Sequence, residues 1–125
     1  MVKSMLFAGF GGFIGTVLRF LVSKYFQINF DTVFPWGTLI INIAGSFLIG
    51  IFLGIFEKGF VMSSEWRLFF TVGICGGFTT FSTFSNDSFM LLQNKEILKF
   101  SLYAGMSFVF GIVSVLIGKN LIETI

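Results

Sequence analysis

The 125-residue chain has no histidine, one cysteine and one proline, and only 11 % of its residues carry charge. A single cysteine without histidine excludes a disulfide framework and any metal site built from clustered His and Cys ligands. Cys75 has no imidazole to act as its base, so it reads as an apolar packing residue, and an enzyme is the least supported class. A lone proline beside twenty phenylalanines excludes a disordered segment. The scarcity of charge excludes most. A water-soluble domain carries about 25 % charged residues, whereas here 55 % of positions are hydrophobic and the mean hydropathy is +0.95. Such a chain belongs in lipid. Its eight basic and six acidic residues are scattered in ones and twos, which leaves no basic patch to hold nucleic acid.

Charges delimit the membrane spans, because an unpaired charge at bilayer depth costs about 2.5 to 3.5 kcal/mol. Trp36 to Phe56 runs 21 residues without charge, and Leu68 to Asn86 and Phe100 to Gly118 run 19 each, close to the ~20 residues that cross a bilayer. A fourth stretch, Ser4 to Ser23, contains Arg19 near its far end. The composition predicts an all-α membrane protein, a single domain over 1–125 with spans at about 4–23, 36–56, 68–92 and 100–120. The connections at 24–35, 57–67 and 93–99 hold most of the remaining charge and the proline. Residues 1–25 lack a small-x-small cleavage site after a short apolar core, so residue 1 is expected to remain. Tyr25, Phe26, Phe30, Phe34 and Trp36 at one set of span ends, and Trp66, Phe69 and Phe70 at the other, form interfacial belts.

Four spans put both termini on one side. Lys3, Lys58, Arg67 and Lys119 then face one way, and Lys24, Lys95, Lys99 and a snorkelling Arg19 the other. Orientation follows the difference in Lys and Arg counts, and here there is almost none. The balance fits insertion in both orientations, and hence an antiparallel pair; a single topology set by one or two dominant lysines stays open. Gly11 with Gly15, and Ser46, Gly50 and Gly54, stand at four-residue intervals as helix-packing stripes.

The third span is the unusual one. Gly76 and Gly77 each cost about 1 kcal/mol against alanine in a helix, and β-branched Thr79 and Thr80 follow, so the helix is expected to unwind there. Backbone groups freed at that depth need protein, water or an ion, and interrupted helices mark ion or substrate sites. Beyond the interruption, Phe81 and Phe84 share a helix face. Their ring edges carry weak positive charge that a small anion can use without being held too tightly; packing is the plainer role for both. Thr80 and Ser82 add neighbouring hydroxyls, while Thr83 could bond back within its own helix.

Gly12-x-x-Gly15-x-x-x-Arg19, Gly37-Thr38-Leu39-x-x-Asn42-x-x-Gly45 and Gly76-Gly77-Phe78-Thr79-Thr80-Phe81-Ser82-Thr83-Phe84-Ser85, in this order over four spans, resemble the CrcB/Fluc family of microbial fluoride channels. The resemblance covers nearly the whole chain. It implies a multi-pass protein of the inner cell membrane, an antiparallel, dual-topology homodimer with two pores, and passive fluoride export that lowers fluoride toxicity. It also implies roles: Phe81 and Phe84 along the fluoride path, Asn42 as an amide donor, and Arg19 drawing anions at an aqueous mouth. Tyr103 and Ser107 match a polar track, with Thr80 and Ser82 as further candidates for the path. The backbone carbonyls of Gly76 and Thr79, one pair from each subunit, match the ligands of a buried sodium ion. Gly111 stands where the track usually has a hydroxyl, with Ser114 nearly one turn beyond, and Asp87 stands where glutamate is common. The rival class is a small dual-topology, proton-coupled drug exporter, which needs a carboxylate in the first span; residues 4–23 contain none.

Overall fold

The structure, a computed structural model, describes residues 1–30, 34–59 and 63–125. Helix α1 covers Val2–Asn29 and α2 covers Trp36–Glu57. A third helical stretch comprises α3 (Ser64–Arg67), a π-helical segment (Leu68–Cys75), α4 (Gly76–Phe78) and α5 (Phe81–Gln93). Helix α6 covers Ile97–Thr124. The chain is therefore all-helical, with four stretches long and apolar enough to cross a membrane: Val2–Asn29, Trp36–Glu57, Ser64–Gln93 and Ile97–Thr124. The connections expected at 24–35 and 57–67 each contain a stretch, 31–33 and 60–62, outside the described residues.

The outer helices exceed the apolar runs that announce them. At 28 residues each, α1 and α6 extend about 42 Å, enough to pass through both headgroup layers as well as the hydrocarbon. A helix keeps its own backbone paired, so it persists into the interface, where polar side chains are wetted. Lys24 lies inside α1, not after it, and its ammonium sits 5.7 Å from the Phe20 ring centroid. Aromatic residues meet at both sets of ends: Phe26 stacks on Phe30 at 5.2 Å, and Trp66 meets Phe7 edge-on, also at 5.2 Å.

Local sequence sets the helix boundaries. Pro35 supplies a donor-free residue just before α2, and Trp36 donates to the Phe34 carbonyl at 2.9 Å. Ser63 caps α3 by accepting from the Trp66 N–H at 3.4 Å. The Thr71 hydroxyl donates to the Arg67 carbonyl at 2.6 Å, competing with the backbone donor one turn on, at the start of the π-helical winding. Lys95, with φ +61, turns the chain from α5 into α6.

Packing pairs the helices. Helices α2 and α6 lie along one another, with Gly118 so close to α2 that a Cβ there would meet the Phe47 carbonyl and the Ile51 N–H. Lys119 ties their ends, 3.1 Å from Glu57 and 3.8 Å from Glu123. Helix α1 packs on the π-helical segment and α4, whereas α5 packs on α6. The third stretch thus changes its main neighbour between Phe78 and Phe81. Leu39, Leu91 and Tyr103 form the fully buried centre where α2, α5 and α6 meet. Large apolar side chains such as Phe10, Phe13, Phe89 and Phe108 are mostly exposed, as lipid-facing residues are.

Candidate functional site

The site is built around two residues. Thr79 (φ −111°, ψ 134°) and Thr80 (φ −138°, ψ 141°) are extended, while Gly76–Phe78 before them and Phe81–Gln93 after them are helical. Unwinding was expected over Gly76, Gly77, Thr79 and Thr80; within that stretch the two glycines keep helical geometry and the two threonines leave it. The reason lies in packing. A Cβ on Gly77 would stand 2.7 Å from the Gly12 carbonyl oxygen, so glycine at 77 serves close approach to α1. The threonines then satisfy the ends they create. The Thr79 N–H and hydroxyl both donate to the Cys75 carbonyl, at 3.0 and 2.9 Å. Thr80 caps α5 by accepting from the Thr83 N–H at 3.2 Å, and its hydroxyl bonds that of Thr83 at 2.5 Å.

Among the described residues, no hydrogen bond reaches the carbonyls of Gly76 or Thr79. The Gly77 carbonyl is taken by Arg19, whose Nε donates to it at 3.1 Å while Nη1 donates to the Thr83 hydroxyl at 3.4 Å. Arg19, which the motif places at a mouth, thus reaches the extended pair. Thr83 does not bond back to its own helix; its hydroxyl faces Thr80 and Arg19.

A cleft of about 340 Å³ opens beside the extended pair between α2, α5 and α6. Asn42, Ser46, Thr80, Phe81, Phe84 and Ser107 line it, together with Thr79. The Phe81 and Phe84 rings are neighbours, with centroids 5.8 Å apart and planes tilted by 32°. Phe84 stacks on Tyr103 at 5.1 Å, whereas Phe81 is 79 % exposed at the open side. The Ser107 hydroxyl is buried and has no hydrogen-bond partner. Asn42 supplies an amide and Ser107 an unpartnered hydroxyl, so the lining joins aromatic rings to neutral polar groups and contains no charged side chain.

A second cavity, of about 210 Å³, lies near the Pro35 end of α2 and is lined in part by Ser23, Gln27, Thr38 and Asp87. Tyr103 stands between the two spaces. Its ring stacks on Phe84, and its hydroxyl donates to Asp87 at 3.4 Å. The carboxylate therefore borders a polar cavity one residue away from the aromatic cleft.

The other expected residues divide. Ser82 is exposed and lines neither space, and Gly76 is exposed as well. Gly111 and Ser114 also stand outside both linings; Gly111 faces Ser46, whose hydroxyl oxygen would be 3.6 Å from a Cβ there, and Ser114 is buried. Sequence reasoning missed Ser46 as a lining residue and took it only for packing, although it is one helical turn from Asn42 on the same face. It likewise missed Ala104 and Phe108. The carbonyls of Gly76 and Thr79 are hard, neutral oxygen donors left without partners, a set that suits a small hard cation. Two oxygens are fewer than such a cation takes, so further oxygen donors would have to complete the shell.

A family model described as CrcB-like protein, Camphor Resistance (CrcB), matches residues 6–119. The chain is similar to a curated protein of Nitrobacter hamburgensis named Fluoride-specific ion channel FluC 1, with 43 % identity over 115 residues, 92 % of this chain and 91 % of that protein. Similar proteins named Fluoride-specific ion channel FluC occur in Flavobacterium psychrophilum and Shewanella amazonensis. The first is 40 % identical over 113 residues, 90 % of this chain and 91 % of its own. The second is 40 % identical over 121 residues, 97 % of each chain.

Proposed function

The chain belongs to the CrcB family, and from that membership and the aromatic cleft we propose that it is a fluoride-selective channel. The observation that carries the proposal is the lining itself: the Phe81 and Phe84 rings line one cleft with Asn42, Thr80 and Ser107, without a formal cation. Fluoride gives up tightly held water only where other donors replace it, and it leaves again only if none of them binds too strongly. Neutral dipoles at several positions meet both demands. The unpaired Ser107 hydroxyl is a donor ready for an anion.

In this mechanism Arg19 raises the local anion concentration through its charge. The ion passes Asn42, crosses the ring edges of Phe81 and Phe84, and reaches the polar cavity past Tyr103, where Asp87 helps push it on toward water. A broad anion such as chloride is excluded because fixed donors spaced for a small ion cannot re-solvate it. Transport is passive and outward, since a negative interior drives an anion out by about 2.3 kcal/mol per 100 mV. The consequence for the cell is lower fluoride toxicity, with the protein in the inner membrane.

The third span is interrupted at Thr79 and Thr80 to free backbone for ion contact. The functional unit is an antiparallel, dual-topology homodimer, in keeping with the even Lys and Arg balance on the two sides. The carbonyls of Gly76 and Thr79 would hold a sodium ion with their counterparts in the second copy, a charge that fixes the two interrupted spans together. Ser82, exposed on one protomer, is then placed to face the pore of the pair. A proton-coupled drug exporter lacks support, because the first span offers no carboxylate between 4 and 23 and the similar proteins are named as channels.

The test is efflux from liposomes containing purified protein, with fluoride against chloride. Fluoride should leave and chloride stay. Phe81→Ile and Phe84→Ile should each reduce fluoride efflux tenfold or more while the protein stays folded. Undiminished efflux in both variants would remove the aromatic path.

A further inference from the structure

We propose that Arg19 is a positioning residue that staples the two halves of the third span across the extended pair. The proposal rests on the channel reading only for its effect on flux. Three observations meet in it. The guanidinium bonds both sides of the interruption: Nε to the Gly77 carbonyl before it, and Nη1 to the Thr83 hydroxyl after it. Thr83 in turn holds the hydroxyl of Thr80, which lines the cleft. Among the described residues no carboxylate pairs with Arg19, so its partners here are neutral oxygens.

The sequence of α1 explains the reach. Gly11, Gly15 and Arg19 follow at intervals of four and share one face. A Cβ on Gly15 would stand 2.9 Å from the Phe78 N and closer still to the Ile74 carbonyl, so α1 lies flush against the backbone just before the interruption. That contact delivers residue 19, one turn further on, to the carbonyl end of α4. A cation is favoured at the carbonyl end of a helical stretch. Its chemistry must be that of arginine: a planar fork donates along two directions at once, whereas a lysine ammonium is a point charge that cannot span both acceptors in fixed geometry.

Charge attraction alone and stapling make opposite forecasts for Arg19→Lys, which keeps the charge and loses the fork. In full-length protein reconstituted in lipid, hydrogen exchange of the amides of residues 79–84 should rise tenfold or more in Arg19→Lys, with α2 and α6 unchanged. Thr83→Val should reproduce that rise, Thr83→Ser should restore wild-type protection, and the double variant Arg19→Lys, Thr83→Val should be no worse than Thr83→Val alone. Fluoride efflux should fall in the same order. The staple is overturned if Arg19→Lys matches wild type in exchange, or if the two single effects multiply in the double variant. Failure of wild-type protein to pass fluoride would reject the channel reading, and the exchange pattern would still decide the staple.

Discussion

The flush contact of α1 with the third span can be tested by adding one methyl group. In Gly15→Ala the new Cβ would lie 2.9 Å from the Phe78 N and 3.0 Å from the Ile74 carbonyl carbon, with the Ile74 carbonyl oxygen nearest of all. These are backbone atoms, so no side chain can turn aside, and α1 has to move out by about an ångström to bring the Ile74 oxygen to an ordinary contact. Overpacking of this kind costs about 1 to 3 kcal/mol, and alanine returns up to about 1 kcal/mol in helix propensity. The net loss reaches about 2 kcal/mol. The same shift takes the 3.1 Å bond from Arg19 to the Gly77 carbonyl to about 4 Å, beyond a useful hydrogen bond. Gly9→Ala is the control, because nothing lies within 4 Å of a Cβ there, and it should be neutral or slightly stabilising. Thermal denaturation of the purified proteins, followed by size-exclusion chromatography, should place Gly15→Ala below wild type and Gly9→Ala at or above it, with fluoride efflux reduced only in the former. Equal stability and equal flux for both variants would refute the close-packing argument.

Two further variants probe the cleft. Ser107→Ala removes a buried hydroxyl that has no partner; burying an unsatisfied group costs about 1 to 3 kcal/mol, so the variant should melt no lower than wild type yet pass fluoride more slowly, and a stability loss with normal flux would contradict the role given to Ser107. Gly111→Ser adds a hydroxyl to α6 beside Ser46, where a Cβ would make an ordinary 3.6 Å contact; it should express and fold as wild type with fluoride efflux undiminished, and misfolding would show that residue 111 is glycine for reasons of space.

Much of this architecture was legible in the sequence because lipid simplifies the rules. Charge-free runs of about 20 residues announce helices wherever backbone pairing is compulsory, and the four helical stretches contain the four expected runs. The i, i+3 spacing of Phe81 and Phe84 placed two rings together, and Asn42 and Ser107 did fall beside them. Less legible was anything that depends on which helix touches which. Gly76 and Gly77 have the propensity to unwind, yet Gly77 is held helical by its contact with Gly12, and the irregular conformation passes to the two threonines. Ser46 carries the same packing signature as Gly50 and Gly54, and only the position of α5 turns it toward the cleft. The π-helical winding of Leu68–Cys75 has no mark in hydropathy at all; its one local cue is Thr71, whose hydroxyl reaches back to Arg67.

The change of neighbour along the third stretch explains why polar chemistry collects where it does. A straight helix packed on α1 throughout would keep every backbone group paired and present one continuous stripe to one partner. Here the part before Thr79 is held by α1 through glycine contacts, and the part after Thr80 is held by α6 around Tyr103. The two extended residues carry the chain from one partner to the other, and the carbonyls at the end of α4 are left without helical partners. Arg19 takes one of them and threonine hydroxyls close the remaining ends, while the Gly76 and Thr79 oxygens stay open. The cleft at α6 therefore inherits its donors from the crossing itself, and the aromatic rings that follow in α5 are carried to its wall by the same turn of the chain.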